Sequence, residues 1–403
     1  MSIPARRLAG LAAFVMVSSM PALGLPSARA QNPQPRGVAE KLSSILKGFD
    51  ENRTAEALEA ADRFEREYAD NPDALMQLAG LLAVHLQHER AAALYGRVNE
   101  LRPHSPDILF NLGVALYHCR QLDKAAAALA ESADLDERPA DTHYSLAVIA
   151  AERDDHENAI LELHHATERA PSRADYYALL GQEFFKVRYW QGAAGAYRHA
   201  AAIEPSEATH FLHLGDALLR FQDLKGAIDA FKHAERLDPQ LPEINYLIGF
   251  GCETDSQLDQ AREFYERQLA LVPNHLASLL GAGTVALEQS RFQDGEKFLQ
   301  AVLAHDSEHV QANYQLGLLW FKTKQYDRAI ERFKRVLWLR PDHTQAEYYL
   351  YLALSRTHED AAAEAALAEW KKLEALDRKV RSQEVAYEMA RAAHWENAAV
   401  LPR

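Results

Sequence analysis

The sequence predicts an all-α protein, a solenoid of antiparallel helix pairs, and three ladders of residues carry that expectation. Prolines recur at Pro103, Pro171, Pro205, Pro239, Pro273 and Pro341, separated by 34 or 68 residues, with Glu137 and Ser307 in the two vacancies. Gly113, Gly181, Gly215, Gly249, Gly283 and Gly317 keep the same period, with Ala79 and Ala147 filling gaps. The third ladder is Ala91, Ala125, Ala159, Ala193, Ala227, Ala261, Ala329 and Ala363, with Gly295 in the remaining slot. Proline cannot continue a helix, so its rungs mark where one unit's second helix ends. The small rungs let helices approach closely; a Leu there overpacks the contact at about 1–3 kcal/mol. Tyr95, Tyr197, Phe231, Tyr265 and Phe333 are the large knobs that fill the space left open. A lone pair of this length cannot bury its apolar face, so the pairs must stack. Composition agrees, since Ala, Leu, Glu, Arg and Lys lose little on entering a helix.

Along the chain, Arg6 and Arg7, an apolar stretch from Leu8 to Leu25 broken by Pro21, and Ala28-Arg29-Ala30 read as a secretory signal peptide over 1–30. Pro21 and the small-x-small ending argue against a membrane anchor, and no Cys follows to carry a lipid. The expected location is therefore the periplasm or the medium. Residues 31–37 form a short disordered leader. The segment 38–71 has helical periodicity, with Thr54-Ala-Glu-Ala-Leu opening a second helix, and is expected to be a degenerate N-terminal capping repeat. Nine units follow over 72–377, at 72–105, 106–139, 140–173, 174–207, 208–241, 242–275, 276–309, 310–343 and 344–377. Val380, Val385, Met389 and Ala393 then suit a C-terminal capping helix and tail over 378–403.

The unit at 208–241 resembles the tetratricopeptide repeat family. It carries Phe211, Leu214, Gly215, Leu218, Ala227, Phe231, Ala234 and Pro239 where that family expects them, and the resemblance covers roughly three quarters of the chain. The resemblance implies a right-handed superhelical solenoid. It also implies that each first helix lines a concave groove through its second, fifth, ninth, twelfth and thirteenth residues. By that carry-over Phe110, Tyr144, Tyr246, Tyr314 and Tyr348 stand at the fifth position, Phe250 at the ninth, and Tyr117, Phe185 and Phe321 at the twelfth. A single such ring is as readily packing between first helices, but a stripe of them points to a contact surface. Lys186, Arg220, Lys322 and Arg356 fall at the thirteenth position. The family's carboxylate clamp is absent, because its fifth and ninth positions hold Phe110 and Val114, or Tyr144 and Val148. The Asn ladder of its glycosyltransferase members is reduced to Asn111, followed by Ser145, Leu179, His213 and Leu247.

Chemistry is sparse. A formal charge of −14 repels phosphate backbones and anionic membranes, so nucleic acid is not an expected partner. Cys119 and Cys252 sit in units four steps apart. With helices packed about 8–10 Å apart, that places them on the order of 30 Å from each other, too far for a disulfide. The histidine pairs His85/His88, His210/His213 and His305/His309, and adjacent His164 and His165, lack a third ligand at fixed spacing, so neither metal nor cofactor is expected. No nucleophile elbow or phosphate-binding glycine loop occurs, and no enzyme is expected. The expected function is a non-enzymatic interaction scaffold of the cell envelope, binding a peptide or helical segment of a partner protein in the groove, with no stable membrane insertion once the signal is removed. The alternative is a polysaccharide-associated protein assisting synthesis or export, since ring stripes can also face sugars.

Overall fold

The computed structural model describes residues 37–135 and 140–397. The expected signal peptide, the leader before Gly37 and the tail beyond 397 lie outside the described residues. Every described element is an α-helix, and within each compact unit consecutive helices pack against one another. The chain divides into two compact units, one ending at Arg188 and the other beginning at Tyr189.

The first unit holds α1 (Val38–Asp50), α2 (Thr54–Glu67), α3 (Pro72–Val84), α4 (His88–Leu101), α5 (Pro106–His118), α6 (Leu122–Leu135), α7 (Ala140–Glu152), α8 (His156–Arg169) and α9 (Ala174–Lys186). The second holds α10 (Trp190–Ile203), α11 (Ala208–Arg220), α12 (Leu224–Leu237), α13 (Ile244–Thr254), α14 (Leu258–Leu271), α15 (Leu276–Glu288), α16 (Phe292–His305), α17 (Val310–Lys322), α18 (Tyr326–Leu339), α19 (Thr344–Arg356) and α20 (Asp360–Asn397).

Three kinds of local chemistry set the helix ends. The first helix of a pair stops at a residue in the left-handed region: Asn52, Leu86, Arg120, Asp154, Arg188, Gln222, Ser256, Ser290, Lys324 and His358, all with φ near +60° and spaced by 34. The amide after it donates five residues back, as from Gln257 to Cys252 and from Arg291 to Ala286, both at 2.8 Å. This is a Schellman stop, which usually takes glycine because any Cβ is crowded there. Second helices stop at the proline rungs. Where Ser307 replaces proline, Asp306 stops the helix instead: its Oδ1 accepts the Glu308 amide at 3.0 Å. Several first helices start on side-chain caps: Asn71 accepts from the Ala74 amide at 3.1 Å. His275, His309 and His343 do the same through Nδ1, at 3.3, 3.2 and 3.1 Å.

Packing across each pair explains the small rungs. A Cβ on Gly215 would sit 2.5 Å from Phe231, one on Gly317 2.7 Å from Phe333, and one on Gly113 2.5 Å from Leu129. Tyr265 is pressed from both sides, by Gly249 at 2.9 Å and Gly281 at 2.4 Å to their would-be Cβ atoms. The knobs Tyr95, Phe231, Tyr265 and Phe333 are fully buried as a result.

Two departures from the expected pattern stand out. The first helix of the unit at 242–275 begins at Ile244, because Glu243 takes a left-handed conformation just after Pro242. At the other departure, no break divides a ninth unit from a capping helix near 377: α20 runs unbroken for 38 residues. Position 375 holds Ala where the ladder has Pro, and Glu374 stands where Asp306 makes its turn. Neither stop is available, so the helix continues.

Candidate functional site

The nine rings singled out in the sequence fall into two behaviours. In the first unit two of the four, Tyr117 and Tyr144, are buried structure. Tyr144 on α7 is 1 % exposed and stacks on Tyr176 of α9, with centroids 4.5 Å apart. It is therefore packing between successive first helices, not a ligand contact, which corrects its assignment to the groove. Tyr117 on α5 is buried too and donates its hydroxyl to Glu152 of α7. Tyr176 donates to Asp141, and Arg173 lies 4.4 Å over its ring while forking onto Asp175 at 2.9 and 2.7 Å. Burial and these carboxylates push the Tyr117 and Tyr176 hydroxyls above the usual phenol range. Phe110 and Phe185 are half-buried.

In the second unit four of the five are half-buried. Tyr246 and Phe250 on α13 are half-buried, with centroids 6.2 Å apart, and Tyr246 meets the capping His275 edge-on at 5.4 Å. Tyr314 on α17 is buried, 4.9 Å from His343, and belongs to the core behind the next group, so its expected role as a contact is also corrected. Phe321 and Tyr348 are half-buried members of a continuous ring cluster. Phe321 meets Tyr349 at 5.5 Å and Tyr326 at 5.6 Å. Tyr348 meets Tyr349 at 5.6 Å, Tyr351 at 6.4 Å and Trp370 of α20 at 5.1 Å. The carry-over missed Tyr326, Tyr349, Tyr351 and Trp370, because it counted only fixed positions of first helices. The signal that could have found them is plain: Tyr348, Tyr349 and Tyr351 crowd one turn of α19.

Charge around the cluster is muted. Burial pushes the Glu347 carboxyl up, with Glu369 adding to the effect, and burial lowers His343. The expected groove cations divide: Lys186 donates to the buried Glu183 at 2.8 Å, and Arg220 lies 3.6 Å from Asp216 and 6.0 Å from the Trp190 ring. Lys322 and Arg356 are exposed.

Several of the histidines have partners within the fold. His88 stacks on His118 at 4.4 Å, His143 pairs with Glu162 at 2.6 Å, and His156 pairs with Glu183 at 2.8 Å. Among the described residues no group of three or more His, Cys, Asp or Glu side chains is placed to hold a metal ion. Cys119 and Cys252 are free thiols, raised chiefly by burial, the opposite of what a reactive cysteine needs. Glu253 on α13 is pushed up to about 7 by burial, against the opposing hydrogen bond from Tyr265, with Glu288 adding like charge. No helix among the described residues is long and apolar enough to cross a membrane.

Comparison with known proteins agrees with the helix-pair architecture. Residues 85–141, 178–242 and 280–346 match the tetratricopeptide repeat model. No curated protein matches the chain. Among solved structures, YrrB, described as a tetratricopeptide-repeat protein with an unusual peptide-binding site, is 21 % identical over 46 % of this chain and 96 % of its own, with a TM-score of 0.40. MamA from Desulfovibrio magneticus RS-1 is 23 % identical over 41 % of this chain and 94 % of its own, at 0.39. The C-terminal part of a repeat protein from Cytophaga hutchinsonii is 16 % identical over 68 % of this chain and 99 % of its own, at 0.44. The matched stretches cover just under half of the chain, and its helix pairs repeat with the same 34-residue period throughout the described array.

Proposed function

We propose that this protein is a scaffold without chemistry of its own, and that it captures a peptide or helical segment of a partner protein on the first-helix face of its second unit. The observation that carries the reading is the half-buried cluster of Phe321, Tyr326, Tyr348, Tyr349, Tyr351 and Trp370. Tyr and Trp rings offer large, stiff apolar area at small entropic loss, and they dominate binding energy where they are desolvated by a partner. Burial disfavours the charged forms of Glu347 and His343 beside the cluster, and the exposed Lys322 and Arg356 supply cations.

Cross-linked capture from the native envelope fraction tests this, with Tyr348→Ser/Trp370→Ser beside the native protein after circular dichroism confirms its fold. Loss of specific protein partners in the variant supports the reading. An unchanged set of partners moves binding off this cluster. Retention of polysaccharide that the variant abolishes, with protein capture untouched, establishes the sugar-handling alternative instead.

Residence in the envelope is part of the same proposal and rests on the signal-like residues 1–30. Amino-terminal sequencing of the protein from its native host is expected to begin at Gln31. A start at Met1 or Ser2 on soluble cytoplasmic protein would overturn it.

A further inference from the structure

The end of α20 is the largest apolar feature that the proposed binding site does not use. Ala363 and Ala366 are buried against the array, but Leu376 is 56 % exposed, Val380 44 % and Tyr387 60 %, and these three share one side of the helix. The helix nonetheless stays unbroken to Asn397. In proteins most helical stability comes from packing an amphipathic face, so apolar side chains left exposed on a long helix mark a contact surface. None of the described helices of the array covers Leu376, Val380 or Tyr387.

The pattern of the segment says what fits. With Val380 and Tyr387 at the first position of a heptad, Leu376, Gln383 and Ala390 fall at the fourth, making one seam. Lys379 then flanks the seam on one side and Glu384 on the other. In a parallel, in-register pair of helices, a flanking residue meets the residue five positions on in its partner. Lys379 of each chain therefore meets Glu384 of the other, twice per pair, with no like charges opposed. Gln383 meets its own copy, where one amide donates and the other accepts. An antiparallel pair never sets Gln383 against its own copy; it opposes Val380 or Tyr387 according to register. We propose that the occupant is a second copy of this chain, joined through a short parallel two-helix coil over the segment 376–394. The seam spans fewer than the three or four heptads of a strong coiled coil, so the dimer is weak and concentration-dependent.

The test uses protein expressed from its complete coding sequence, so that any processing takes place. Sedimentation equilibrium over a wide concentration range is expected to show a reversible monomer–dimer equilibrium. Lys379→Glu opposes two carboxylates on each side and is expected to weaken association about tenfold. Adding Glu384→Lys to that variant restores it. Gln383→Cys is expected to form an interchain disulfide under mild oxidation while the native sequence does not, which reports the parallel register. A monomer at every concentration overturns the proposal, including the case where a different protein covers this face. So does a dimer indifferent to Lys379→Glu, or one that Gln383→Cys fails to lock.

Discussion

Inside the array no helix exceeds 14 residues, whereas α20 runs for 38, and the two differ in how each ending is written. An interior helix meets a left-handed residue, a proline or an aspartate turn, and its small residues press on rings with no space to spare. α20 begins inside that regime, with Ala363 and Ala366 buried, and then leaves it. The comparison teaches that the repeat is bounded by stop signals as much as by its core. Remove the stops and the same helix becomes an extension able to do something else.

The strongest way to break the interior side is Gly215→Leu. The first added carbon already falls 2.5 Å from Phe231, which is fully buried and has nowhere to move. A loss of about 3 kcal/mol or more is expected, at the upper end of overpacking effects, read as a lower midpoint in urea. Ala386→Leu, on the exposed part of α20, is the control and should leave that midpoint unchanged.

Giving α20 the missing stop sharpens the comparison from the other side. Ala375→Pro places the rung where the ladder demands it, and a proline inside a helix costs about 3 kcal/mol locally. The helix is expected to end near Leu373, with a fall in helical circular dichroism, loss of self-association and an unchanged array melting transition. A helical signal equal to that of the native chain would mean that the segment beyond 375 was not helical in solution.

A third contrast concerns charge held inside. The Glu253 carboxyl, ordinarily near 4.5, is pushed up to about 7. The folded state therefore keeps its proton while the unfolded chain has released it, so folding stability falls as pH rises between about 4.5 and 7 and stays reduced above that. His213 works in the opposite sense. Burial lowers it to about 4, so stability is lost as pH falls from 6.5 towards 4. Glu253→Gln is expected to gain roughly 2 kcal/mol at pH 8 and nothing at pH 4, removing the fall on the alkaline side. An equal gain at both values would assign the effect to packing.

How much of this was legible beforehand depends on whether the signal lay in residue type. The three ladders announced helix pairs because proline stops helices and glycine or alanine is required by the close approach of the rings. The stops at Leu86, Arg120 and Lys324 were invisible, since geometry there is imposed by neighbouring turns and the residue merely tolerates it. Rings showed the same split. Position alone put Tyr144 and Tyr348 in one class, yet Tyr176 covers the first and leaves it 1 % exposed, while the second is half-buried beside Trp370. Which partner stands opposite a ring is tertiary information that no fixed position carries. The running-on of α20 was readable in principle, because Ala375 and Glu374 are absences within otherwise regular ladders.

The smallest expected effect tests those silent stops. Leu86 holds φ at 61° and is 76 % exposed, so its side chain gains little from packing while its Cβ is crowded by the backbone. Leu86→Gly removes the crowding, at the price of extra freedom in the unfolded chain, and a net gain of about 1 kcal/mol is expected. Asn52 occupies the same rung of the first pair with φ at 59°. Asparagine already tolerates that region, so Asn52→Gly should gain much less. Thermal melts of the two variants decide the matter. If both gain equally, the strain lies in the turn itself; if Leu86→Gly alone gains, each left-handed stop is a small stability reserve set by the residue that happens to occupy it.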